Sequence, residues 1–155
     1  ACILDRPRHK KIIEELNQLK VNIKLITDGD VAGALLVSDH KHNVDIFLGV
    51  GGGPEGVLAA SALDTLECQF QGRFIFKKDN DILRAKKMGI TELDRKYNIK
   101  DIVKGDSIFC ATGITSGDMV KGITIKDDDY ISETFITHKS TKTKKIYSKR
   151  NKINQ

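Results

Sequence analysis

VDIFLGVGGGPEGVLAASA, residues 44–62, reads as a strand, a loop and a helix in succession. Val44, Ile46, Phe47, Leu48 and Val50 make a short apolar run rich in β-branched and aromatic residues, the pattern of a buried strand. Gly51, Gly52 and Gly53 carry no Cβ, so the loop can pass close to a ligand. Pro54 stands where a helix would begin, a place that suits its fixed φ and missing N–H. From 57 to 66 the apolar residues recur at helical spacing, with Gly56 and three alanines allowing close approach to a sheet. A helix N-terminus after a glycine loop offers free N–H groups and a positive dipole end to an anion. Glu55 lies inside that loop and would repel a phosphate unless a cation lay between them. Such loops also occur without a ligand, and a first-turn glutamate also serves the dipole.

Working outward, the same unit repeats. Residues 2–4 read as a strand end running into Asp5-Arg6-Pro7-Arg8-His9, followed by a helix over 10–20 with Ile12, Ile13, Leu16 and Leu19 at helical spacing. Residues 23–26 read as a second strand, ending in Thr27-Asp28-Gly29-Asp30, with a helix over 31–37. Strand, turn and helix in alternation predict an α/β fold with a parallel or mixed sheet flanked by helices. Ligands bind such sheets beyond the carboxyl ends of the strands, where all three turns fall. Farther on, 70–76 reads as a strand, 82–88 as a helix and 108–111 as a strand. Residues 122–126, 130–138 and 144–147 then predict an antiparallel meander turning at Asp127-Asp128-Asp129.

The chain has 155 residues, 39% hydrophobic and 30% charged, with net charge +5: one domain's worth of ordinary globular composition. The main unit is placed at 1–138 and a basic terminal strand and tail at 139–155. No apolar run is long enough for a membrane span, so no membrane partner is expected. Cys2, Cys68 and Cys110 have no metal spacing and read as buried thiols of a reducing cytoplasm. The basic tail offers only Tyr147 and Arg150 as aromatic or arginine interleaving, so nucleic acid is not an expected partner. The opening ACIL reads as a strand already under way, and a fragment or truncated relative of something longer is expected.

Three clusters carry chemistry. Arg6 and Arg8 flank Pro7, and two guanidinium groups on one turn can grip a phosphate with charge-assisted hydrogen bonds; His9 offers another donor. A solvated surface turn is the alternative. Asp28 and Asp30 straddle Gly29 and can bind a divalent cation, accept from sugar hydroxyls, or cap a helix. Glu55 is the best metal-ligand candidate, although magnesium's six oxygens need more than one carboxylate.

LDRPRH (4–9), ITDGDVAGAL (26–35), GVGGGPEGVLAASAL (49–63), FQGRF (70–74) and ATGITSGDMVKG (111–122) occur in that order. Together they resemble the C-terminal half of class II fructose-1,6-bisphosphatase, the bacterial type that includes fructose/sedoheptulose bisphosphatases. The resemblance implies a sugar-phosphatase fold, a layered α/β/α/β/α sandwich of which this chain would be the C-terminal portion. It implies hydrolysis of the 1-phosphate of fructose 1,6-bisphosphate, a step of gluconeogenesis, dependent on Mn or Mg. By the same resemblance Arg6, Pro7 and Arg8 contact substrate phosphate, Asp28, Gly29, Asp30 and Gly52 contact the sugar phosphate, and Glu55 is a metal ligand. The other metal carboxylates and the residues around the scissile phosphate belong to an N-terminal half. The expected partners are therefore a phosphorylated sugar and that missing half or a second copy of the chain. The expectation for this half alone is inactivity, with a non-catalytic remnant or sugar-phosphate-binding partner half as the alternative. Gly53 replaces the family's usual alanine, and HKSTKTKKIY, from His138, departs from the family's ending.

Overall fold

A computed structural model describes residues 1–153. Its first part contains β1 (Cys2–Leu4), a 3-10 turn (Pro7–His9) leading into α1 (Lys10–Gln18), and β2 (Lys24–Ile26). Then come α2 (Asp30–Leu35), 3-10 turns at Leu36–Ser38 and His40–His42, and α3 (Gly53–Thr65). β1 and β2 pair in parallel, Ile3 opposite Leu25. On the other side of β1, Cys2 bridges Phe47 in parallel: Cys2 N–H donates to the Ile46 carbonyl (2.8 Å) and Leu48 N–H to the Cys2 carbonyl (3.0 Å).

That bridge corrects the expected strand over 44–50. Only 46–48 pairs, because β1 is three residues long and offers one register position on that side. Val44 is buried, but Ile46 is 49% exposed. From Gly49 the chain turns to meet His9 and Arg8 instead.

α3 follows the sequence closely. Gly52 is its N-cap and Pro54 lies in the first turn. Ala59, Ala60, Ala62 and Leu63 are buried on it, and small side chains there bring the helix close to its neighbours. Leu35, Ala62, Leu63 and Phe135 form one core cluster; Cys2 of β1 forms another with Leu36 and Val44. Thr65 Oγ1 lies 2.7 Å from the Ala62 carbonyl and 2.6 Å from the Thr137 hydroxyl. Both threonines are buried, and these bonds satisfy the hydroxyls where α3 meets the sheet.

The remainder holds β3 (Gln71–Gly72), α4 (Asp79–Lys87), β4 (Tyr97–Asn98) and α5 (Ile99–Ile102). β3 pairs with β4 over two residues only, which corrects the expected strand over 70–76. Phe74 leaves the ladder to stack on Phe76 and meet Tyr97 edge-on.

β5 (Ile108–Thr112), β6 (Thr124–Lys126), β7 (Asp129–His138) and β8 (Thr143–Lys152) form an antiparallel sheet. β5 and β6 share one edge of β7, at residues 134–138 and 129–131, while β8 runs along all of the other edge. The expected meander is therefore present, with its turn at Asp127 and Asp128. On β5, Phe109 and Ala111 face inward, so strand alternation sends Cys110 outward. Cys110 is exposed, correcting its expected burial; burial does raise the thiol pKa values of Cys2 and Cys68. No helix among the described residues is long and apolar enough to cross a membrane.

At the β7–β8 turn, His138 Nε2 lies 2.7 Å from Asp106 Oδ2, and Ser140 N–H donates to Asp106 Oδ1 (3.0 Å). Ser140 and then His138 lower the Asp106 carboxyl from its ordinary 3.8 to about 2. A depressed carboxyl stabilises the fold above its unfolded pKa, and the gain is lost as pH falls through the folded one. Denaturation midpoints of wild type and Asp106→Asn are expected to differ at neutral pH and to converge between 3.8 and about 2. Curves that stay parallel across that window would show that Asp106 adds no proton-linked stability.

Candidate functional site

The turns after β1 and β2 and the loop after 46–48 leave the carboxyl ends of neighbouring parallel segments. The first turn joins the third through one residue. His9 is 0% exposed; its Nδ1 lies 2.8 Å from the Leu4 carbonyl, and its Nε2 accepts from Val50 N–H at 2.9 Å. Arg8 Nε donates to the Val50 carbonyl (2.5 Å). His9 is thus no phosphate donor on an open turn but a buried tie between β1 and the glycine loop. Arg6 sits half-buried, with Nη1 3.4 Å from the Asp5 carbonyl.

The second turn joins the same loop. Gly29 has φ +82°, a left-handed conformation that strains any residue with a Cβ. It is the N-cap of α2, so neither aspartate caps the helix. Asp28 Oδ1 accepts from Gly29 N–H (2.9 Å), and Asp30 enters the first turn. The Asp30 carboxylate stands over the glycine loop, with Oδ2 3.2 Å from where a Cβ on Gly51 would be. The Glu55 carboxylate folds back over Gly52, occupying the space such a Cβ would need. Two carboxylates therefore lie against consecutive glycines.

Among the described residues, Arg6, Arg8, Asp28, Asp30 and Glu55 form no ion pair. Arg8, Asp28, Gly52 and Glu55 are all exposed. Clefts of about 330 and 270 Å³ lie elsewhere, beside Asn22 and Asp45 and beside Ser38 and Ile146. The turns thus make an open surface with two guanidinium groups, free loop N–H groups and uncompensated carboxylates. It can take an oxyanion and hydroxyl groups together. A cation does not fit these residues alone, since no group of three His, Cys, Asp or Glu among the described residues is placed to hold a metal ion. Val57 and Leu58 of α3 are 50% and 53% exposed, and Leu58 lies about one turn on from Glu55.

Residues 1–151 match a family described as bacterial fructose-1,6-bisphosphatase, glpX-encoded. A D-fructose 1,6-bisphosphatase class 2/sedoheptulose 1,7-bisphosphatase of Trichodesmium erythraeum is 31% identical over 156 residues, covering 92% of this chain and 45% of that protein. Proteins of the same description from Microcystis aeruginosa and Synechococcus elongatus are 33% and 35% identical over 136 residues, each covering 79% of the chain and 39% of the relative. The chain spans less than half the length of these relatives.

Proposed function

This chain belongs to the bacterial fructose-1,6-bisphosphatase family, and from that membership we propose that it supplies the sugar-phosphate-binding side of a class 2 fructose-1,6-/sedoheptulose-1,7-bisphosphatase site. The observation that carries this reading is the meeting of three turns at adjoining strand ends, with Arg8 and His9 bonded to Val50 and Asp30 against Gly51.

Arg6 and Arg8 grip a phosphate, with Pro7 fixing the backbone between them. Asp28 and Asp30 accept hydrogen bonds from sugar hydroxyls, and the loop at Gly52 lies close against the ligand. Glu55 contributes one oxygen ligand to a divalent cation, Mn or Mg, whose remaining ligands lie outside this chain's described residues. The reaction served is hydrolysis of the 1-phosphate ester of fructose 1,6-bisphosphate, releasing inorganic phosphate and fructose 6-phosphate. Three free cysteines agree with a cytoplasmic setting. The exposed Leu58, about one turn from Glu55, favours a second reading as well: a half that binds sugar phosphate and becomes catalytic only when a partner covers this side chain.

The test is a titration of the chain with fructose 6-phosphate, followed by amide NMR. Shifts are expected at residues 6–9, 28–30 and 50–55; none there at millimolar ligand would refute the site. Phosphate release from fructose 1,6-bisphosphate by the chain alone, with Mn or Mg, is expected to be negligible, because one loop's carboxylates do not enclose a cation. Turnover of roughly 1 per second, within the usual enzyme range, would overturn that expectation.

A further inference from the structure

Resting on the sugar-phosphate reading above, we propose that His9 is a positioning residue, which anchors the Val50 backbone so that Arg8 and the glycine loop face one oxyanion. Val50 N–H donates to His9 Nε2 at 2.9 Å, so that nitrogen carries no proton. The ring proton is then on Nδ1, donated to the Leu4 carbonyl 2.8 Å away. Nε2 also lies 3.2 Å from the Val50 carbonyl, but in this tautomer both atoms bear lone pairs, leaving the N–H bond as the attractive one. The next peptide, Val50–Gly51, takes Arg8, whose Nε donates to the Val50 carbonyl at 2.5 Å.

The two peptides that flank the Val50 Cα thus face both neighbours in the Arg8-His9 pair: the N–H of Gly49–Val50 holds the histidine and the C=O of Val50–Gly51 holds the arginine. The consequences are local and directional. Arg8 spends Nε on the protein and keeps its two terminal nitrogens for a ligand, with the guanidinium plane set by the Val50 carbonyl. The Gly51 N–H shares the plane of the Val50 carbonyl, so with Val50 held on both sides its backbone sets where the glycine loop begins. A fully buried ring whose two nitrogens bond two different segments is the kind of support that keeps a binding geometry from loosening. A merely structural role would make both ring bonds equally important. The positioning role makes the Val50 bond decisive.

Two substitutions separate the bonds. His9→Asn keeps a polar group at the Nδ1 position and reaches Leu4 alone; His9→Gln keeps one at the Nε2 position and reaches Val50 alone. In the wild-type chain, nitrogen NMR is expected to show a His9 ring protonated at Nδ1 and a slowly exchanging Arg8 Nε–H. His9→Gln is expected to retain the Arg8 signal and the fructose 6-phosphate affinity. His9→Asn is expected to lose the signal and bind about ten-fold more weakly, the scale of one lost buried hydrogen bond. A ring protonated at Nε2, or equal losses in the two variants, would overturn the positioning role. The Arg8 signal following the expected pattern while no form binds the sugar phosphate would uphold the role of His9 and refute the sugar-phosphate site. The ring tautomer and the Arg8 signal are read on the wild-type chain, so neither variant has to fold for the role to be refuted.

Discussion

Joined to the portion of a class 2 relative that it does not match, this chain is expected to support cation-dependent phosphate release, and Glu55→Gln in that joined protein is expected to remove most of it. A carboxylate folded over a glycine loop at a helix N-terminus is unfavourable beside phosphate unless a cation intervenes. Gln keeps the side chain's length and one carbonyl oxygen but removes the charge. Apparent metal affinity should therefore fall at least as far as when a ligand's supporting residue is lost, roughly 10–100-fold. A dipole-only role would instead cost about 0.3–1 kcal/mol of stability and leave the metal curve alone. The comparison is phosphate release against manganese concentration, with circular dichroism confirming that both proteins are folded. Superimposable metal curves would remove Glu55 from the proposed ligand set.

Gly122→Ala, in the loop that joins β5 to β6, is expected to destabilise the fold strongly. A Cβ there would lie 2.6 Å from Ser116 N, 2.7 Å from the Thr115 carbonyl carbon and 2.8 Å from the Ile114 oxygen, all backbone atoms. Across the same loop, a Cβ on Gly113 would collide with the Lys121 carbonyl. Close contact between the ends of this excursion lets β5 and β6 share one edge of β7. Since backbone cannot step aside as a side-chain tip can, the cost should reach or exceed about 3 kcal/mol, the upper part of the overpacking range. For a chain of this size that is a fall in Tm of roughly 6–12 °C. Gly117→Ala, at a position with nothing within 4 Å of a Cβ, is the matched control and should leave Tm nearly unchanged. Equal melting of the two variants would contradict the close approach.

The most legible elements in the sequence were those whose signals are local. Pro54 after a glycine loop, with alanines along one helix, marks α3, and Asp-Gly-Asp marks the start of α2. Long-range pairing was not legible. An apolar run at 44–50 looks like a buried strand, but its length in a sheet depends on how many residues of β1 face it, and only Cys2 does. Phe74 was similarly taken from its strand by Tyr97, more than twenty residues away in the chain. At the site, the residue types were readable and their bonding was not. Arg8 and Glu55 stand out by charge, whereas His9 beside two arginines reads as one more donor. Its burial follows from the return of residues 46–50 alongside β1, and its partner, the Val50 peptide, leaves no mark in the residue letters.

The central claim, that the three turns form one sugar-phosphate site, is tested most directly by a crystal structure of the chain with fructose 6-phosphate. The expected result is phosphate bonded to the free guanidinium nitrogens of Arg6 or Arg8, with sugar hydroxyls on Asp28 or Asp30 beside the Gly52 loop. Sugar phosphate bound elsewhere on the chain, with these turns empty, would contradict it.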